Sequence, residues 1–211
     1  MNGGVSGPEV AIVSVMGIEF SGLVIAAKRY SDALKGHGWL ATPIVVSRET
    51  HLEHQGMRAV GDLTALARTL RDRSRNFRAV LWVGLHVEDW AFKEQINVME
   101  ELAAIGCLNF VLPERTERPG RESYSNFEAR ATSSAMIAGL LHLNAHESAK
   151  WREVIKVESV EAPAPIPEEL FRLGERREAS ASSANAEFGL VVMGRLTRRK
   201  GADVLVREWT T

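Results

Sequence analysis

Short runs of apolar residues alternate along the chain with longer segments in which apolar residues recur every three or four positions. The runs at residues 10–16, 43–46, 79–83, 108–112, 140–143 and 155–160 predict buried strands. The segments between them predict helices at about residues 23–34, 62–70, 89–105, 127–137 and 148–154, with Asp62 as an N-cap and Gly36 and Gly38 ending the first helix. Strands and helices that alternate at this spacing predict an α/β fold, a Rossmann-like parallel sheet flanked by helices.

The pattern changes after about residue 160. Residues 162–167 are rich in proline, and residues 175–187 are charged, rich in Ser and Ala, and nearly devoid of apolar side chains, which predicts a flexible linker. An apolar run at 188–193 and a helical pattern at about 202–209 follow it. We therefore expect one domain over residues 1–174, a linker at 175–187, and at 188–211 the start of a second domain that this chain truncates.

Composition narrows the classes of function. The chain is 45% hydrophobic, enough for a core, and its formal net charge of −1 does not favour nucleic acid as a partner. One cysteine cannot form an intramolecular disulfide and fits a reducing compartment. We see no secretory signal and no apolar run of membrane-spanning length, so we expect a cytoplasmic protein, with peripheral membrane contact left open.

The C-terminal segment carries the most specific motif. The run at 188–193 leads into Gly194, Arg195 and Leu196, and Lys200 and Gly201 then open the last predicted helix. Two cations and a helix N-terminus in this order suit a diphosphate. The alternative is a solvated basic turn.

Three segments together resemble a known family. They are residues 21–38, with a glycine turn, a helix and a Gly-His-Gly ending; residues 157–171, a proline-rich crossover ending in Phe; and residues 194–201. The chain resembles the N-terminal domain and first βα unit of GT-B glycosyltransferases of the "glycosyl transferases group 1" class, which includes glycogen synthase. The resemblance implies an enzyme that transfers a hexose-like sugar, with retention, from a nucleoside diphosphate sugar to an acceptor hydroxyl on a saccharide, lipid or small molecule.

The resemblance also implies where the donor binds. Arg195 and Lys200 would bind the diphosphate of the sugar donor, aided by the backbone at Gly22, and would stabilise charge on the leaving group. The loop that holds Gly17, Glu19 and Ser21 would line the cleft between the domains. The alternative for this loop is a plain tight turn. No cofactor and no metal are expected, because the two cations take the place of a bound metal ion.

Candidate catalytic residues follow two predicted strands. His86 comes after the third, at the end where α/β sheets place ligands, and would meet the acceptor hydroxyl. Glu114 comes after the fourth, where many relatives carry a His that this chain lacks. The alternative for both is an ordinary loop residue. His142 and His146 are better interpreted as structural histidines, and arginines near one end of the second helix, among them Arg68 and Arg71, as a solvated face rather than a site for an anionic lipid or phosphate.

Three hypotheses remain at this point. The first is the acceptor-binding half of a glycosyltransferase that is inactive without its donor domain. The second is a non-catalytic Rossmann-like subunit that binds an acceptor or a partner chain. The third is an unrelated nucleotide-binding α/β domain, which leaves the segment 194–201 unexplained.

Overall fold

A computed structural model describes residues 8–15, 22–47, 56–72, 77–85, 89–113, 136–143, 149, 157–163 and 165. The chain divides into two compact units, Met1–Pro167 and Glu168–Thr211, and every described residue belongs to the first. The linker, strand and helix expected after residue 174 lie outside the described residues, as does the helix expected at 148–154 apart from residue 149.

The described residues form seven strands and three helices. In chain order these are β1 (Glu9–Ser14), α1 (Gly22–Gly36), β2 (Leu40–Val46), β3 (Arg58–Val60), α2 (Leu63–Arg71), β4 (Phe77–Val83), α3 (Asp89–Ala104), β5 (Leu108–Leu112), β6 (Gly139–His142) and β7 (Ser159–Glu161).

All seven strands belong to one sheet, in the order β3-β2-β1-β4-β5-β6-β7, and every neighbouring pair is parallel. β1 is central: Ile12 pairs with Pro43 of β2 on one side and with Leu81 of β4 on the other. The predicted Rossmann-like α/β fold is confirmed.

Side chains alternate across the sheet and form a hydrophobic core on each face. Val13 of β1 and Trp82 of β4 belong to the core under α2 and α3, together with Leu66 and Met99 of those helices. Their neighbours Ile12 and Leu81 belong to the core under α1. Both faces of the central strands are therefore covered, which explains their continuous apolar sequence.

The helix boundaries follow local capping rules. Asp62 is the N-cap of α2, as predicted, and its Oδ1 accepts a hydrogen bond from the Ala65 backbone N–H at 2.7 Å. α1 ends in a Schellman motif around Gly38, whose φ is 81°. There the N–H of Trp39 donates to the carbonyl of Leu34 and the N–H of Gly38 to that of Lys35, both at 3.0 Å. Gly36, the other glycine expected to end the helix, is its last residue.

Some element boundaries differ from the prediction. β3 was not predicted, since it is three residues long and begins with an arginine. β2 begins three residues earlier than expected and contains Pro43, which is tolerated because β3 pairs with Ile44–Val46 and leaves Pro43 a partner on one side. Met136 and Ile137, expected to end a helix, are not helical, while residues 127–135 lie outside the described residues.

A buried polar side chain joins the elements under α3. Asn109 of β5 is fully buried, and its Nδ2 donates to the carbonyl of Met99 at 2.8 Å and to that of Met136 at 3.0 Å. Its Oδ1 accepts the indole N–H of Trp82 at 2.9 Å. Both amide N–H groups and the amide oxygen are thus used, so β4, β5, α3 and the segment before β6 are held by one side chain.

Candidate functional site

The carboxyl ends of the parallel strands meet along one edge of the sheet, where α/β proteins bind ligands. The strand order reverses at β1, because β2 and β3 extend the sheet to one side and β4 to β7 to the other. α1, which follows β1, packs on one face, whereas α3, which follows β4, packs on the opposite face. The ends of β1 and β4 therefore flank the crevice of a topological switch point.

Gly84, directly after β4, gives this crevice its shape. Its φ of 91° lies in the left-handed region that favours glycine, and a Cβ added there would lie 2.9 Å from Cδ2 of Leu23. Its N–H donates to the carbonyl of Leu112 at 2.8 Å, and its carbonyl accepts from Nε2 of the buried Gln95 at 3.2 Å. Gly84 therefore connects the ends of β4 and β5 to the first turn of α1 and to α3.

The N-terminus of α1 lies beside this glycine. Gly22, the first residue of the helix, is exposed, and a Cβ there would meet nothing within 4 Å. The first turn contains no acidic residue. Since a helix N-terminus carries partial positive charge and N–H groups without acceptors in the helix, this position suits an anion. Gly22, predicted to help bind the diphosphate, thus lies at the carboxyl edge.

The other predicted site residues lie outside the described residues. They are Gly17, Glu19, Ser21, His86, Glu114, Arg195 and Lys200. β4 and β5 nevertheless bring the chain to the carboxyl edge through buried residues immediately before two of them: Leu85 precedes His86, and Pro113 precedes Glu114. The roles of these residues stay predictions.

Sequence reasoning missed the contribution of Gly84 and Gln95. The sequence shows a glycine directly after the third predicted strand. It does not show that a side chain at this position would collide with Leu23, because that proximity arises only in the folded chain. Gln95 lies on α3 and is fully buried, although its position reads as one more polar residue of an amphipathic helix.

Charged groups add little to the described part of the edge. Within the described residues, no three His, Cys, Asp or Glu side chains are grouped so that they could hold a metal ion. His142, at the end of β6, is fully buried. Burial raises the pKa of the Cys107 thiol, but this residue precedes β5 at the opposite edge.

Among the described helices, none has the length and apolar character required to cross a membrane.

The fold and the switch point define a Rossmann-like α/β domain consistent with the N-terminal half of a GT-B glycosyltransferase. A glycosyltransferase from Rickettsia africae has a similar structure, with a TM-score of 0.59 and 13% sequence identity over 96% of this chain. Acinetobacter baumannii MurG matches 64% of the chain with a TM-score of 0.44 and 9% identity. An AraC family transcriptional regulator from Pseudomonas putida matches 82% with a TM-score of 0.38 and 12% identity.

These similarities carry different weight. At such identities the Rickettsia africae structure supports a glycosyltransferase-like fold, and the two matches with lower TM-scores add no argument. The chain spans 57% of the length of the Rickettsia africae protein and 41% of MurG. No protein family model and no curated protein sequence matches the chain.

Proposed function

We propose that the chain is the acceptor-side part of a GT-B glycosyltransferase that moves a sugar from a nucleoside diphosphate sugar to an acceptor hydroxyl. The observation that carries this proposal is the switch point between β1 and β4, with the N-terminus of α1 beside Gly84. A glycosyltransferase-like fold accounts for that geometry, and the motif from Gly194 to Gly201 supplies the cations that a diphosphate requires.

In this proposal two regions of the chain divide the chemistry. Arg195 and Lys200 bind the diphosphate, and the charge that develops there as the glycosidic bond breaks is stabilised by cations already in place. In the first unit, the N-terminus of α1 at Gly22 provides backbone N–H groups and a positive helix end that suit an anion. The loop with Gly17, Glu19 and Ser21 precedes this helix in the chain and is the other segment proposed to take part in binding.

The acceptor binds, in this proposal, beside the ends of β4 and β5. His86 and Glu114 are the residues that accept the proton of the acceptor hydroxyl or position it, because they come three and two residues after strands that end at the carboxyl edge. No metal and no cofactor take part. The acceptor is a saccharide, a lipid or a small molecule, and a separate donor domain binds the nucleoside and the sugar of the donor.

Release of nucleoside diphosphate from a panel of nucleotide sugars tests the proposal. The chain is assayed alone and together with a separately expressed donor domain, with labelled sugar followed into acceptors. We expect release and transfer in the mixture. Arg195→Ala should lower the rate about 10- to 100-fold, since a charge-assisted hydrogen bond contributes about 1.5–3 kcal/mol.

Arg198→Ala is the matched control, because it removes the same side chain three residues away and should leave the rate within about twofold. Equal losses in both variants would show that the basic turn acts through its net charge. Acceptor binding without transfer, in the presence of the donor domain, would instead indicate a non-catalytic binding subunit.

A further inference from the structure

A polar depression lies on the α2 side of the sheet, away from the carboxyl edge. It has a volume of about 740 Å³ and is lined by Arg58, Thr64, Arg68, Thr69, Arg71 and Asp72. Arg58 is the first residue of β3, and Arg68 and Arg71 belong to the last turn of α2, so the depression lies toward the amino ends of the strands. Three cations and one carboxylate make its lining positive.

Arg58 is the unusual member of this set. Val60, two residues further along β3, belongs to the core under α2, and side chains two apart on a strand share a face. Arg58 therefore points toward α2. Its Nη1 atom is buried and has no hydrogen-bond partner within the described part of the chain. A guanidinium nitrogen withdrawn from water without an acceptor is costly, because its desolvation is not compensated.

The neighbouring arginines, Arg68 and Arg71, differ in the ion pairs and hydrogen bonds that they form. Arg71 pairs with Glu101 of α3 at 2.8 Å, and its Nε donates to the carbonyl of Ala67 at 3.3 Å. Arg68 is exposed and forms no ion pair within the described residues. Two guanidinium groups, those of Arg58 and Arg68, thus line the same depression, and neither forms an ion pair with a carboxylate of the described part of the chain.

Simpler roles explain part of this arrangement. Arg68 and Arg71 lie in the last turn of α2, where cations stabilise the negative end of the helix dipole. An inward-pointing charge on an edge strand such as β3 also discourages pairing with another chain. Neither role supplies a negative charge opposite the partly buried guanidinium of Arg58.

We propose that this depression is a second anion site, which binds a phosphate group through Arg58 and Arg68. A guanidinium matches the oxygens of a phosphate with two parallel hydrogen bonds, and a phosphate in the depression would offset the positive charge of the partly buried Arg58 and of Arg68. The hydroxyls of Thr64 and Thr69 line the same space as further donors. The site is separate from the diphosphate site of the proposed sugar transfer and does not depend on it.

Stability in the presence of anions tests this site on the whole 211-residue chain. Thermal unfolding is followed with inorganic phosphate or pyrophosphate, against sodium chloride at equal ionic strength. Ligand that binds the folded state raises the melting temperature by mass action. We expect both anions to raise it, and Arg58→Gln and Arg68→Gln each to weaken the apparent affinity about tenfold or more. The Arg68→Gln variant should fold normally because this side chain is exposed, so it tests the site even if Arg58→Gln disturbs folding.

Arg29→Gln is the matched control, because Arg29 is a partly buried arginine on α1, whose buried face packs on the opposite side of the sheet. Equal weakening of anion binding by all three substitutions would show that only net charge matters, and would overturn the site. The site would also be overturned if neither anion stabilised the wild-type chain and if this chain did not bind the vesicles that contain phosphatidylglycerol.

Vesicles identify the source of the phosphate. Sedimentation is compared for phosphatidylcholine alone and for phosphatidylcholine mixed equally with phosphatidylglycerol. Binding to the mixed vesicles that Arg58→Gln abolishes assigns the site to a lipid headgroup, whereas anion stabilisation without vesicle binding assigns it to a soluble phosphate. Vesicle binding that Arg58→Gln leaves unchanged, without anion stabilisation, contradicts the proposal.

Discussion

Replacing Asn109 with alanine should destabilise the sheet more than any surface substitution. The change removes two donated bonds, to the carbonyls of Met99 and Met136, and the bond accepted from the indole N–H of Trp82. All four residues are at most 1% exposed, so water cannot replace the lost partner without opening the core.

The magnitude follows from the groups left behind. An unsatisfied buried donor or acceptor costs about 1–3 kcal/mol. The indole N–H of Trp82 and the carbonyl of Met136 each incur this cost. The carbonyl of Met99 incurs less, because it lies inside α3, where a helical N–H also serves it. The free energy of unfolding should therefore fall by about 3–6 kcal/mol, a large part of the roughly 5–15 kcal/mol that a typical domain possesses.

Urea denaturation followed by tryptophan fluorescence and by circular dichroism measures this loss. Asn109→Leu separates hydrogen bonding from packing, since leucine fills a similar volume and leaves the same three groups unpaired. Lys93→Ala, at an exposed position of the same helix, α3, is the control and should change stability by less than about 0.5 kcal/mol. If Asn109→Leu retained wild-type stability, the three hydrogen bonds of Asn109 would contribute nothing to the free energy of unfolding.

Three further predictions concern single contacts. Gly84→Ala should cost about 1–3 kcal/mol, because alanine is strained at a φ of 91°, whereas Gly61→Ala, which meets no neighbour within 4 Å, should cost less than about 1 kcal/mol in the same urea titration. Tyr30→Phe removes the 2.8 Å bond from the tyrosine hydroxyl to the carbonyl of Ala162 and should cost about 0.5–1.5 kcal/mol; an unchanged midpoint would show that water replaces it. Burial raises the pKa of the Cys107 thiol, so its contribution to stability is complete below the unfolded value of about 8.5 and declines as the pH rises through the folded value. The wild type should therefore lose stability relative to Cys107→Ala above about pH 8.5, and parallel pH profiles would contradict this.

The central strands were predictable because each is buried on both faces. β1 and β4 contain continuous apolar runs, and β5 is apolar except for Asn109; such runs bounded by turn residues have few other interpretations. β3 has no such signal, since Arg-Ala-Val is too short to show a period. It becomes a strand because β2 offers it an unpaired edge at Ile44–Val46, and that is a tertiary effect.

Polar residues inside the fold were the hardest to predict. Asn109 lies in a strand, where asparagine is disfavoured. Its contribution to stability depends on hydrogen bonds to three partners that are distant in sequence. Arg58 likewise gives no sign in the sequence that one of its nitrogens is buried. For the candidate site, the sequence predicted a helix from about residue 23 after the first strand, and the structure confirms this helix, which begins one residue earlier, at Gly22. The close approach of Leu23 to Gly84 could not be predicted from the sequence and is seen only in the structure.

The central position of β1 in the sheet has a consequence for folding during synthesis on the ribosome. Among the described strands β1 is synthesised first, whereas β4, the partner on its second side, begins only at Phe77. Until that strand has been made, one edge of an apolar strand that is buried on both faces has nothing to pair with. Pairing across such a separation is slow, and unpaired apolar strands aggregate. β1 is thus a strand that a chaperone should protect during synthesis, and its exposure should favour aggregation when the chain is refolded at high concentration.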